Sequence, residues 1–126
     1  MRLSIAKHFE FEAAHQLPDQ ELYGKCRNLH GHTYKLTVEI TGEYNPEEGW
    51  IVNFSEVKKI VKEQVIDVLD HKFLNDIIEE ITTAENILFW IKERIYDRIT
   101  LLAPGIDIVQ MTLYETSNSF AKLQFD

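Results

Sequence analysis

The chain has 126 residues, 44% hydrophobic and 27% charged, with a net charge of −8. That length suits one domain with its own core, here taken as residues 1–126. The acidic balance argues against nucleic acid and anionic membrane as partners, because both are met by a basic surface. No apolar stretch approaches the ~20 residues of a membrane span. The start, Met1-Arg2-Leu3-Ser4-Ile5, alternates like a strand rather than an export signal, so a cytoplasmic location is expected. Cys26 is the sole cysteine, which excludes an intrachain disulfide.

Residues 3–15 open the chain with a period of two. Leu3, Ile5, Phe9, Phe11 and Ala13 share one face, with Lys7 the exception, and His15 falls in phase at the end. Residues 30–43 alternate more cleanly: Tyr34, Leu36, Val38 and Ile40 point one way, Thr33, Lys35, Thr37, Glu39 and Thr41 the other. His30 and His32 extend the apolar face backwards. Asn45-Pro46-Glu47-Glu48-Gly49 reads as a turn.

Ser55 reads as an N-cap. Val57, Ile60, Val61, Val65, Val68 and Leu69 then recur at helical spacing over residues 56–69. A second helix begins near Thr82–Thr83, where Thr82 and Glu85 fit a capping box. Its stripe is Ala84, Ile87, Leu88, Ile91 and Ile95, and it stops before Pro104-Gly105. Two strands follow. Val109, Met111 and Leu113 share a face that Glu115 ends, and residues 120–125 alternate after a turn at residues 116–119.

The order β-β-α-α-β-β predicts an α+β fold, with two helices on one face of a four-stranded antiparallel sheet. The connection over residues 16–29 is long for a hairpin, and loops of that length are often functional.

If the first two strands pair antiparallel, the end of one lies beside the start of the other, about 4.8 Å away. His15, His30 and His32 then point to one face and converge. Three neutral imidazoles suit zinc, and a fourth position left to water or substrate is the catalytic pattern. Cys26 lies inside the long loop as a fourth ligand, a catalytic thiol or a buried filler. Lys25 and Arg27 flank it, and positive neighbours favour a thiolate. Asp70-His71 reads either as a proton-holding pair or as a helix C-terminus stabilised by histidine. Glu115 reads either as a carboxylate emerging into solvent or as an acceptor for paired N–H donors of a ligand.

Phe11-Glu12-Ala13-Ala14-His15, Cys26-Arg27-Asn28-Leu29-His30-Gly31-His32, Leu69-Asp70-His71, Thr83-Ala84-Glu85-Asn86 and Tyr114-Glu115-Thr116 stand in this order along nearly the whole chain. Together they resemble the 6-pyruvoyl-tetrahydropterin synthase and 6-carboxy-tetrahydropterin synthase family. The resemblance implies the tunnelling fold, a trimeric barrel built through the sheet, and two stacked trimers with active sites between subunits.

It also implies roles. His15, His30 and His32 match the zinc ligands, Cys26 the general base, and Asp70 and His71 the proton relay. Glu115 matches the carboxylate that anchors the pterin's amino-pyrimidine edge and joins the relay. Thr82 and Thr83 fall where the family contacts that ring. The implied substrate is 7,8-dihydroneopterin triphosphate. Lys25 and Arg27, the only close basic pair in the long loop, are the candidates to meet its phosphates. No nicotinamide or flavin is implied, and the chain has no Gly-rich dinucleotide loop. The short Cys-x-x-x-His-Gly-His spacing resembles the 6-carboxy branch, which makes the queuosine precursor. Cys26 and Asn28 depart from a third branch that carries Glu at or near the cysteine and cleaves the side chain. Asn53-Phe54 and Ile81-Thr82 replace the Asp-Phe and Asn-Pro pairs common in bacterial members.

Overall fold

The computed structural model describes residues 1–125. Strand β1 (Arg2–His15) pairs antiparallel with β2 (His30–Glu43) along its whole length, as the two alternating runs predict. Their loop carries a short 3-10 helix, Glu21–Arg27. Next come α1 (Phe54–Val61), a π-helical turn (Lys62–Ile66) and α2 (Asp67–Leu69), followed by β3 (Lys72–Phe73) and a 3-10 turn, Leu74–Asp76. Helix α3 (Ala84–Thr100) leads to the closing pair, β4 (Asp107–Thr116) and β5 (Ser119–Gln124).

Among the described residues the sheet has five strands in the order β3-β1-β2-β4-β5, not four, and there are three α-helices, not two, because a π turn divides the helix predicted over residues 56–69. The extra strand is two residues long and pairs parallel with Ala13 and Ala14. Two residues leave no periodicity to read, so the sequence gives no sign of it.

The inward faces of β1 and β2 make one wall of the core, with Phe11, Tyr34, Leu36, Val38 and Ile40 buried. Leu113, Met111 and Ile108 continue that wall on β4. A bulge between Glu39 and Ile40 shifts the register, so Ile108 faces inward where the even alternation predicts Val109. Bulges change strand phase by one residue, and no residue type here announces it.

The helices close the other side. Val57, Val61, Val65 and Leu69 are all fully buried at four-residue steps. Such steps drift by about 40° each around an α-helix, so three would carry Leu69 about 120° off the Val57 line. The wider π turn at Lys62–Ile66 takes up the difference and keeps all four against the sheet. Arg94 of α3 fastens that turn, its Nε donating to the Gln64 carbonyl at 2.6 Å.

Both helix starts lie one to two residues from the predicted caps. Asn53, not Ser55, caps α1, its side chain accepting from the Ser55 N–H at 2.9 Å. Thr83, not Thr82, caps α3, accepting from the Asn86 N–H at 3.3 Å. Thr82 is turned into the interior, where it has a different task. No helix among the described residues is long and apolar enough to cross a membrane.

Candidate active site

Register brings the histidines together. His15 stands directly opposite His30, and His32 opposite Ala13, one step along the same face. The ring centroids of His15 and His30 are 4.5 Å apart, those of His30 and His32 4.9 Å, and those of His15 and His32 5.2 Å. One ring nitrogen from each lies within 4.8 Å of the others.

Hydrogen bonds orient two of the rings. The His15 Nδ1–H donates to the Thr82 carbonyl at 2.8 Å, and the His30 Nδ1–H donates to the Asn28 carbonyl at 2.7 Å. A carbonyl can only accept, so each of these rings carries a proton on Nδ1, which in a neutral imidazole leaves the lone pair on Nε2. His15 is 1% exposed. Its burial, and then the neighbouring His30 and His32, lower its pKa to about 4 against the lift from the Thr82 bond. Burial also lowers His32. Both shifts favour the neutral imidazole, the form that binds metal.

The Nε2 atoms of His15 and His32 are buried and have no hydrogen-bond partner among the described residues. Buried polar atoms normally have one. A divalent ion with nitrogen preference answers both orphans and draws in His30, so the residues present fit zinc. The carbonyls behind His15 and His30 are the usual outer support of such a site.

Glu115 ends the inward face of β4, as its phase predicts, and its carboxylate turns back over the histidines. One oxygen lies 3.8 Å from His32 Nε2 and the other 4.0 Å from His15 Nε2. Cys26, at the end of the loop's 3-10 helix, is exposed. With His15, Thr83, Glu85, Glu115 and Phe120 it lines one cavity of about 250 Å³. The long loop therefore brings the thiol to the histidines.

Asp70 and His71 lie on the other side of the sheet. The Asp70 carboxylate accepts the Glu12 backbone N–H at 2.9 Å and meets His71 Nδ1 at 3.0 Å. His71 Nε2 is 3.7 Å from the Glu12 carboxylate, and Thr33 donates to that carboxylate at 3.3 Å. Glu12 alternates with Ala13 and His15, so this cluster occupies the face away from the helices. The Glu12 N–H first, and then His71, hold Asp70 below the usual carboxylate range. His71 has a left-handed backbone, φ 59°, just past α2. That is a costly conformation for a residue with a Cβ, and such strain is often kept at functional positions.

A model of the 6-pyruvoyl tetrahydropterin synthase family matches residues 4–125. The chain belongs to this family. It is 34% identical to the 6-carboxy-5,6,7,8-tetrahydropterin synthase of Haemophilus influenzae, over 95% of this chain and 97% of that protein. It is also 34% identical to the dihydroneopterin monophosphate aldolase of Pyrococcus furiosus, over 99% and 100%. Among solved structures, the 6-pyruvoyl tetrahydropterin synthase of Caenorhabditis elegans superposes with a TM-score of 0.85 at 24% identity, covering 100% of this chain and 97% of that one. The chain is thus an enzyme, a lyase of this family.

Within the family's motifs, the structure divides the named residues into two groups. His15, His30, His32, Cys26, Thr83 and Glu115 gather at one place; Asp70 and His71 stand with Glu12 on the opposite face. Thr82 is fully buried behind His15. Arg27 leans away from the Cys26 cavity, 3.7 Å from Asp19, and Lys25 is exposed beside it. Glu12 is the member of the Asp70–His71 cluster that motif reading passes over. Its signal is only its phase, on the bare face three positions before His15.

Proposed function

We propose that the chain is a zinc-dependent enzyme converting 7,8-dihydroneopterin triphosphate and one water to 6-carboxy-5,6,7,8-tetrahydropterin, with release of acetaldehyde and triphosphate. Its place would be the cytoplasmic route to queuosine and related 7-deazaguanines. The observation that carries this reading is the three-imidazole cluster, two of its Nδ1 protons tied to carbonyls, with Cys26 and Glu115 at the same cavity.

His15, His30 and His32 would hold the zinc. When bound, zinc supplies Lewis-acid polarisation of the substrate's side-chain hydroxyls. The Cys26 Sγ takes a proton from the side chain as general base. Glu115 accepts from the ring's amino and N–H groups, and Thr83 contacts the same ring. His71 Nε2 carries the second proton, its ring oriented through Nδ1 by Asp70. Lys25 and Arg27 meet the triphosphate, Arg27 by exchanging Asp19 for phosphate oxygens.

Asp70 and His71 face away from the zinc ligands of their own chain. For them to serve, a second copy must present that face. A homo-oligomer with sites between subunits, two stacked trimers, supplies it.

A second reading rests on the end-to-end match to the archaeal aldolase: cleavage of the side chain of a monophosphate substrate. The third is the 6-pyruvoyl product of the family's name. One experiment separates them. Zinc-loaded protein is incubated with dihydroneopterin triphosphate, and separately with the monophosphate, and products are weighed by mass spectrometry. 6-Carboxy-tetrahydropterin with acetaldehyde upholds the proposal; 6-pyruvoyl product or an aldol cleavage selects a rival. No turnover of either substrate overturns the assignment.

A further inference from the structure

Three buried side-chain atoms have no hydrogen-bond partner among the described residues: His15 Nε2, His32 Nε2 and the Tyr34 hydroxyl. They are neighbours. Tyr34 follows His32 on the same face of β2, and its ring lies edge-on to His32 and His15 at centroid distances of 5.5 and 6.1 Å. A zinc ion held by the histidines answers the two nitrogens. It leaves the tyrosine unanswered, and it leaves Glu115 unexplained.

Glu115 is the awkward group. In the neutral form that binds metal, His15 keeps its proton on Nδ1 against the Thr82 carbonyl, so its Nε2 presents a lone pair to a carboxylate oxygen 4.0 Å away. Two acceptors facing each other with no proton between them repel. A cation between them reverses the sign. The spacing fits one: zinc bonds of about 2.0–2.1 Å in a tetrahedron put neighbouring ligand atoms about 3.3 Å apart, and the carboxylate oxygens stand 3.8 and 4.0 Å from two of the three histidines. A glutamate on a strand end covers the remaining few tenths of an ångström by side-chain rotation.

We propose that Glu115 closes the fourth position of the zinc site in the substrate-free enzyme, with the Tyr34 hydroxyl donating to its other carboxylate oxygen. This deepens the reading above and rests on it for the metal. One carboxylate then satisfies the third orphan as the ion satisfies the first two. Tyr34 and Glu115 lie on neighbouring strands, one step beyond the Lys35–Tyr114 pair of β2 and β4. Glu115 is thereby a two-position residue. It caps the metal while the site is free of substrate and turns to the ring's N–H donors when a pterin arrives, so the metal's open position appears together with the ligand that uses it.

Cobalt(II) replacing zinc in the full-length oligomer reports the coordination directly. Glu115→Gln should shift the visible cobalt bands, because water takes the carboxylate's place. It should also weaken zinc in a chelator competition by about tenfold to a hundredfold. Tyr34→Phe, which preserves the stack on Phe11, should shift the bands in the same direction by less. Adding free pterin to the wild-type cobalt protein should move its spectrum towards that of Glu115→Gln. An unchanged spectrum and unchanged zinc affinity in Glu115→Gln overturns the proposal while leaving the histidine site standing. Failure of the wild-type protein to take up cobalt or zinc overturns the metal reading itself, and this proposal with it.

Discussion

The Thr82 carbonyl accepts the His15 Nδ1 proton at 2.8 Å, and its hydroxyl lies 3.1 Å from the same nitrogen. The two residues are 67 positions apart. The bond fixes which nitrogen of His15 faces its fellow histidines. It also explains why the cap of α3 falls on Thr83: Thr82 is engaged elsewhere.

Thr82→Val removes the hydroxyl and keeps the carbonyl and the volume. Stability should fall by about 1 kcal/mol, the ordinary worth of one hydrogen bond. Zinc affinity should fall by about tenfold or less, at the low end for residues behind a metal ligand. Urea unfolding and chelator competition measure the two. A loss of all metal would mean that the hydroxyl, rather than the carbonyl, sets the ring.

Removing a ligand and removing the base should differ in kind. His30→Ala takes away a nitrogen and should lose both zinc and turnover. Cys26→Ala leaves the three imidazoles untouched; it should keep one zinc per chain and lose turnover by about a hundredfold or more, as removal of a general base does. Metal content by mass spectrometry, beside the product assay, tells them apart. Full activity in Cys26→Ala would remove the thiol from the chemistry.

Much of this site could be read from strand phase. His15, His30 and His32 share the period of Phe11 and Tyr34, so burying those aromatics forces the histidines onto the same face. Glu115 follows from the period of Met111 and Leu113. What the sequence hides is whatever depends on pairing across distance or on a change of period. The β4 bulge, the two-residue β3 and the π turn at Lys62–Ile66 leave no local mark. Thr82 resembles a cap because capping and buried hydrogen bonding call for the same side chain. The separation of Asp70 and His71 from the zinc ligands is likewise invisible, because motif order carries no sheet face. Glu12 escaped because its partners, Asp70 and His71, lie nearly sixty positions away.

Asp70 supplies a pH prediction. An aspartate in an unfolded chain titrates near ~3.9. In the fold the Glu12 N–H and then His71 hold Asp70 lower. The unfolded state therefore takes the proton first. The stabilisation is fully present above the unfolded value and fades as pH falls through the folded one. Asp70→Asn should accordingly cost stability near neutral pH, and the gap from wild type should narrow below about pH 4. Urea midpoints taken from pH 3 to pH 7 test this, and a gap that stays constant or widens with acid would contradict it.

The two faces of the sheet give the sharpest test of assembly. Cys26 lies with the zinc ligands, whereas His71 lies with Glu12 on the far face. If one working site takes Cys26 from one copy and His71 from a neighbour, each of Cys26→Ala and His71→Ala is inactive alone. Mixed and reassembled, they are complementary. A site is whole when its Cys26 comes from a His71→Ala chain and its His71 from a Cys26→Ala chain. Random mixing makes that about one site in four, since each half is intact with even odds in a closed ring of identical interfaces. Product formation by the mixture should therefore recover to about a quarter of wild type, and should not recover when the same chains are mixed without dissociation. A double variant carrying both changes on one chain, mixed with wild type, should lower activity per wild-type chain, because its copies displace the neighbours that complete sites. Absence of recovery in fully exchanged oligomers would place Cys26 and His71 in service to the same chain. That result would require a rearrangement of the loop over residues 16–29 large enough to carry the thiol around the edge of the sheet.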